Sequence, residues 1–179
     1  MAKHVVDKIG ILGGSFDPAH KGHLTISKIA IRKANLKKLY WIVTKQNPFK
    51  KKPFFSLKKR LLIARKIVKN TKKIEVSYLD NITGSSRSID TIKYILKINK
   101  PKNLYLIIGS DILPEFHKWK NWKKIVKLTK LIVFSRSGYG KKKREYTVGK
   151  YLKKNKITFI KNKPIKISSS ILRKKQKTK

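Results

Sequence analysis

Short, nearly unbroken apolar runs alternate with longer stretches of helical periodicity along the whole chain. The strand-like runs are Ile9–Leu12, Leu39–Val43, Ile74–Ser77, Leu104–Ile108, Leu131–Ser135 and Ile157–Ile160. Helix-compatible stretches lie between them, near 23–34, 57–69, 89–98 and 121–128. Strands without a polar alternate are buried on both faces, as they are in parallel sheets. The alternation therefore predicts an α/β fold: a Rossmann-like, doubly wound, mostly parallel sheet with helices on both faces. In such a sheet ligands bind beyond the carboxyl ends of the strands. The chemically richest residues fall there: the turn after Leu12, Gln46-Asn47-Pro48 after Val43, Gly109-Ser110-Asp111 after Ile108, and Ser135-Arg136 after Phe134. The lysine runs at 50–52 and 141–143 read as loops, and residues 173–179 as a frayed tail.

Composition narrows the classes. At 179 residues the chain is expected to form a single domain with a substantial core. It has no cysteine, which excludes disulfides, thiolate nucleophiles and cysteine zinc sites. Only His20 and His23 among four histidines are close together, so no metal site built from protein ligands is expected. No apolar run approaches a membrane span. The short N-terminal run passes straight into a glycine turn, unlike a signal peptide. A cytoplasmic protein without membrane contact is the expectation. The net charge of +40 raises an alternative, a nucleic-acid-binding module held by its phosphate contacts. Yet only seven of the 48 basic residues are arginine, the lysines are spread throughout, and no recognition-module signature occurs. No specific nucleic-acid partner is therefore expected.

The candidate chemistry is concentrated in residues 13–24, Gly-Gly-Ser-Phe-Asp-Pro-Ala-His-Lys-Gly-His-Leu. Following one apolar run and preceding a periodic one, it reads as strand, glycine turn and helix. Gly13 and Gly14 can adopt backbone angles closed to other residues and let a ligand approach the main chain. His20 and His23, three apart, share one face of a helical first turn. Orphan N–H groups and the positive dipole end lie beside them, which makes an anion cradle carrying two imidazoles. A surface turn with two incidental histidines is the competing reading. A second cluster, Ile167-Ser168-Ser169-Ser170-Ile171-Leu172-Arg173, reads as a serine helix cap or, with Arg173, as a phosphate site.

The 13–24 string resembles the signature of the HIGH-motif nucleotidyltransferases, and the seryl–arginine cluster resembles their Ile-Ser-Ser-Thr-x-x-Arg motif, with Ser170 in place of threonine. Three further segments are similar to those of bacterial nicotinate-nucleotide adenylyltransferases. Phe116–Trp122 is similar to their tryptophan segment. Ser88-Ile89-Asp90-Thr91 resembles their Thr-x-Asp-Thr helix start, and Asn47-Pro48-Phe49-Lys50 their Asn-Pro-x-Lys loop. Ser135–Tyr139 resembles their Arg-Pro-Gly-Tyr turn without the proline. Many members continue with a further helix where the given chain ends, a few residues after Arg173.

The resemblance implies adenylyl transfer from ATP to nicotinate mononucleotide, with these two as partners and a homo-oligomer compatible with the sequence. His20, His23 and Arg173 become the expected catalytic residues. Gly13, Gly14, Ser15, Phe16, Gly109, Asp111, Arg136, Ser169 and Ser170 are expected to bind ATP. Asn47, Lys50, Ser88, Thr91, Trp119 and Lys120 are expected to bind the mononucleotide. Mg²⁺ is expected with ATP, held mainly by its phosphate oxygens. Two residues keep alternatives at this stage. Asp111 serves ribose hydroxyls or a metal-bound water, or simply caps a helix. Trp119 stacks on the pyridine ring, or fills the core.

Overall fold

In the structure, a computed structural model, residues 8–47, 51–136, 146–152, 156–162 and 167–177 are described. Six strands, β1 Lys8–Gly14, β2 Lys38–Val43, β3 Ile74–Ser77, β4 Asn103–Gly109, β5 Lys130–Phe134 and β6 Ile157–Ile160, form one sheet. Its order is β3-β2-β1-β4-β5-β6, and every pairing is parallel. The helices are α1 Lys21–Ala34, α2 Leu57–Val68, α3 Asp80–Thr83, α4 Ser88–Asn99, α5 Trp122–Leu128, α6 Thr147–Tyr151 and α7 Ser169–Lys177. A 3₁₀ segment spans Ser110–Lys118. Among the described residues no helix is long and apolar enough to cross a membrane.

The unbroken apolar runs are explained by their two destinations. In β2, Leu39, Trp41 and Val43 pack with Ala30 of α1 and Ala64 of α2, while Tyr40 and Ile42 pack with Ile92 and Ile95 of α4. In β4, Leu106 and Ile108 join the α4–α5 side and Ile107 the α1–α2 side. The four central strands β1, β2, β4 and β5 thus serve two cores with alternate residues, so both parities are apolar, whereas the edge strand β3 turns Ile74 and Val76 to one core and exposes Glu75. Gly10 marks the tightest approach in β1, where an added Cβ would lie 2.7 Å from the Leu36 Cδ1. A larger residue there requires the Leu36 side chain to move aside.

The expected strands and the four expected helices are present, with ends shifted by one or two residues. The helix α1 begins at Lys21, earlier than the periodicity suggests, because His20 caps it. The helix α7 continues to Lys177, through the stretch read as a frayed tail. Pro48, Phe49 and Lys50, the turn residues Ser137–Tyr139 and the lysine run 141–143 lie outside the described residues.

Candidate active site

The strand order reverses direction between β1 and β4, and there the carboxyl ends of neighbouring strands diverge into opposite connections. A cavity of about 1230 Å³ opens at this point. All the expected site residues that fall among the described ones line it: Gly13 to Phe16, His20, His23 and Asn47 on one side of the chain order, then Ser88, Thr91, Gly109, Asp111, Trp119, Lys120 and Arg136, and finally Ser169, Ser170 and Arg173. Lys50 lies outside the described residues.

The glycine turn is built differently from the expectation. Gly13 and Gly14 close β1 without a positive φ, and the left-handed residue is Phe16, with φ at 45°. What the glycines contribute is bareness, since a Cβ on Gly13 would meet nothing within 4 Å. The main chain is therefore open toward the cavity. The Phe16 ring is buried and stacks on Trp41, with centroids 5.0 Å apart. His23 leans on the same Phe16 ring at 4.9 Å. Trp41 Nε1 donates to Ser27 Oγ at 2.8 Å, and Ser27 Oγ donates to the His23 carbonyl at 2.7 Å. The first turns of α1 are thereby fixed to the sheet behind the histidines.

His20 is the N-cap of α1, not a member of its first turn as the spacing suggested. Its Nδ1 accepts from Gly22 N at 3.1 Å, and His23 Nδ1 accepts from His20 N at 3.2 Å. The two imidazoles form a reciprocal capping box, a task usually given to a hydroxyl and a carboxylate. Their ring centroids are 3.9 Å apart. An Nδ1 that accepts a hydrogen bond carries no proton, so the ring proton of each neutral imidazole sits on Nε2. Burial, reinforced by the positive charge of Arg136, pushes His20 down to about 4. Near neutral pH the cap thus presents His20 as an uncharged N–H donor of fixed tautomer. Such a group suits the phosphate oxygens of a ligand.

The seryl–arginine motif reaches the same loop from the other end of the chain. Ser168 Oγ caps α7 by accepting from Ile171 N at 3.3 Å. Ser169 Oγ donates to the Pro18 carbonyl at 2.9 Å. Arg173 Nη1 donates to the Asp17 carbonyl at 2.7 Å, and Nη2 donates to Ser170 Oγ at 3.1 Å. The bland capping role and the convergent role therefore coexist on successive serines.

Asp111 does not cap a helix, which removes that alternative: no side chain caps the 3₁₀ segment. Asp111 Oδ2 instead pairs with Arg136 Nη1 at 2.6 Å, while its buried Oδ1 has no hydrogen-bond partner. An added Cβ on Gly109 would collide with that same Oδ1. Only glycine leaves the carboxylate where it is. Trp119, at the end of the 3₁₀ segment, is half-buried and stacks on the buried Phe116 at 4.9 Å. Trp122 packs edge-on against Tyr151, with centroids 5.1 Å apart. Among the described residues no group of three His, Cys, Asp or Glu side chains could hold a metal ion.

Sequence reasoning missed Asp17 and Arg60. The Asp17 carboxylate is buried and accepts from Phe54 N at 2.8 Å and Phe55 N at 2.9 Å. Asp17 was legible as part of the motif but carried no assigned task. Arg60 looked like one more cation in a lysine-rich helix.

Residues 11–175 match the model of the family described as cytidylyltransferase-like. A Pelagibacter ubique protein named "Probable nicotinate-nucleotide adenylyltransferase" is 46% identical over 167 residues, covering 93% of this chain and 92% of its own. An Aquifex aeolicus protein of the same name is 35% identical, covering 89% and 98%. The solved Plasmodium falciparum nicotinic acid mononucleotide adenylyltransferase, complexed with NaAD, superposes with a TM-score of 0.75 at 19% identity. That match covers 94% of this chain and 83% of the solved one, a likeness of fold.

Proposed function

Since the chain belongs to the cytidylyltransferase-like family and is a member of the nicotinate-nucleotide adenylyltransferases, we propose how its cavity divides the work of that reaction. The enzyme transfers an adenylyl group from ATP to nicotinate mononucleotide, forming deamido-NAD and releasing pyrophosphate. We place it in the cytoplasm and read the given 179 residues as one domain. The observation that carries the reading is the junction at Asp17–Pro18, where Ser169 and Arg173 bind the carbonyls of the histidine loop. Two phosphate-seeking motifs more than 140 residues apart in sequence thereby face one cavity.

An oxygen of the mononucleotide phosphate attacks the α-phosphorus in line. The new P–O bond forms as the bond to the β-phosphate bridge breaks, and pyrophosphate leaves with that electron pair. The attacking phosphate is already ionised, so no strong base is needed, and alignment with charge neutralisation is the protein's task. The Nε2–H groups of His20 and His23 donate to the phosphate oxygens, with His23 at the α-phosphoryl group. Neither ring acts as a base through Nδ1, because both Nδ1 atoms accept backbone N–H groups. Arg173, with the helix terminus at Ser169 and Ser170, holds the departing pyrophosphate. Gly13 to Phe16, Gly109 and Arg136 shape the ATP side.

Nucleotidyltransferases generally use Mg²⁺, and the donor set here fits an ion held by ATP. One orphan carboxylate oxygen, Asp111 Oδ1, is available to a ribose hydroxyl or a metal-bound water. When bound, Mg²⁺ supplies positive charge to the phosphates. On the mononucleotide side, Asn47, Lys50, Ser88 and Thr91 hold the ribose phosphate and pyridine. Trp119 stacks on the ring with Phe116 behind it, and N–H groups near Ser88 and Lys120 receive the carboxylate.

Trp119→Ala tests this half of the site. The mononucleotide KM should rise roughly 5- to 150-fold, the loss of a stacking contact of about 1–3 kcal/mol. The ATP KM should stay nearly unchanged. Trp122→Ala is the control, with a lowered melting temperature and an unchanged mononucleotide KM. Melting curves and initial rates on both variants check the pair. A Trp119→Ala enzyme that melts early but keeps its mononucleotide KM would assign that ring to the core.

A further inference from the structure

Arg60 sits on α2 between Lys59 and Leu61, in a run that reads as solvated surface, yet it is 2% exposed. Its guanidinium makes four hydrogen bonds, all to main-chain carbonyls. Nε donates to Phe55 O at 3.1 Å, and Nη1 donates to Ser15 O and Thr44 O, each at 2.7 Å. Nη2 donates to Lys45 O at 3.0 Å. Three of these carbonyls belong to the two ends of one segment, residues 44–55. The fourth belongs to the loop that carries the histidines.

Asp17 completes the pattern from that loop. Its carboxylate takes the N–H groups of Phe54 and Phe55, at the far end of the same segment. A second acid, Asp80, takes Lys45 N at 2.8 Å at the near end. A buried guanidinium is costly unless offset, and Asp17 and Asp80 are the carboxylates whose charge favours it. Between the two pinned ends, the segment delivers Asn47, Lys51 and Lys52 to the cavity wall.

We propose that Arg60 and Asp17 form a clasp that holds both ends of the 44–55 segment, and so set the mononucleotide half of the cavity against the histidine loop. The inference rests on the adenylyltransferase reading of the cavity. Arg60 is a positioning residue, acting through the carbonyls it holds. Only a planar fork with several donors reaches acceptors on three different stretches of chain; a lysine ammonium does not. Ends held before the substrate arrives spare part of the cost of fixing the segment on binding. Loosening its ends misplaces Asn47, Lys51 and Lys52, and displacements of about 1 Å can cost about a hundredfold in rate.

Arg60→Lys keeps the charge and removes the fork. In the full chain it should raise the mononucleotide KM at least about tenfold and change the ATP KM by less than about threefold. Brief trypsin treatment of the folded protein, read by mass spectrometry, should cut the Lys51–Lys52 bond at least about ten times faster than in wild type. Val68→Ala, at the far end of the same helix, is the control for stability alone. It should lower the melting temperature while leaving both KM values and the early cuts unchanged. Should Arg60→Lys fail to fold, Asp17→Asn gives the same test, because it turns one acceptor into a donor facing an N–H. The proposal is overturned if the folded variant keeps both KM values and its resistance to trypsin. It is equally overturned if both KM values rise together without faster cutting. Absence of turnover by the wild-type enzyme on nicotinate mononucleotide would instead defeat the functional reading, and the trypsin arm would still decide the clasp.

Discussion

His23→Ala is expected to lower kcat by about a hundred- to a thousandfold, the usual effect of removing one preorganised donor from a transition state. The ATP KM should move far less, because the bond to the α-phosphoryl oxygens strengthens as charge builds there. Two consequences of the capping box must be separated. Deleting the ring also orphans His20 N, whose acceptor is His23 Nδ1. Loss of such a cap costs about 0.5–2 kcal/mol of stability. Asparagine places its carbonyl oxygen near the position of Nδ1, whereas glutamine places its amide nitrogen near Nε2. His23→Asn should therefore recover melting temperature without recovering rate. His23→Gln should recover part of the rate. Steady-state kinetics and melting on the three variants check this, and a His23→Ala enzyme with near wild-type kcat would remove His23 from the chemistry.

Arg173→Ala is expected to lower kcat/KM for the forward reaction at least about a hundredfold, on the same scale of charge stabilisation. Its larger signature should appear in reverse, with deamido-NAD and pyrophosphate as substrates, as a raised KM for pyrophosphate. Arg173→Lys should recover little. Its single ammonium cannot hold the Asp17 carbonyl and Ser170 Oγ while also facing a pyrophosphate. Stability should fall only modestly, since the guanidinium is half-buried and its ion pair with Asp17 is long, at 3.6 Å. An Arg173→Ala enzyme with pyrophosphorolysis unchanged would place the leaving group elsewhere.

The fold was legible because the four central strands serve two cores and leave no polar alternate, so their runs stand out from their surroundings. The cradle was legible because it is local: glycines, two histidines and a helix start occupy one short string. What escaped was set by distant partners. Nothing around Arg60 distinguishes it from its lysine neighbours, because its four acceptors come from residues 15, 44, 45 and 55. The left-handed turn fell on Phe16 and not on either glycine, because stacking on Trp41 and His23 compensates a backbone angle that local propensity disfavours. The place of His20 as the cap of α1, outside its first turn, was missed because histidine is an uncommon cap, and here it needs a second histidine to complete it. Asp111, placed after Gly109, read equally as a ligand for ribose or metal-bound water and as a helix cap. Its pairing with Arg136, from the following strand's end, was not visible in sequence.

The central claim is that this cavity joins ATP to nicotinate mononucleotide. Pyrophosphate release, followed with ATP and Mg²⁺ against nicotinate mononucleotide, nicotinamide mononucleotide, phosphopantetheine and glycerol phosphate, tests it most directly. The account predicts turnover with nicotinate mononucleotide far above the other three, with the amide analogue disfavoured because its donors would face donor N–H groups. Turnover confined to phosphopantetheine or glycerol phosphate, or none at all alongside tight, salt-sensitive nucleic-acid binding, would contradict it.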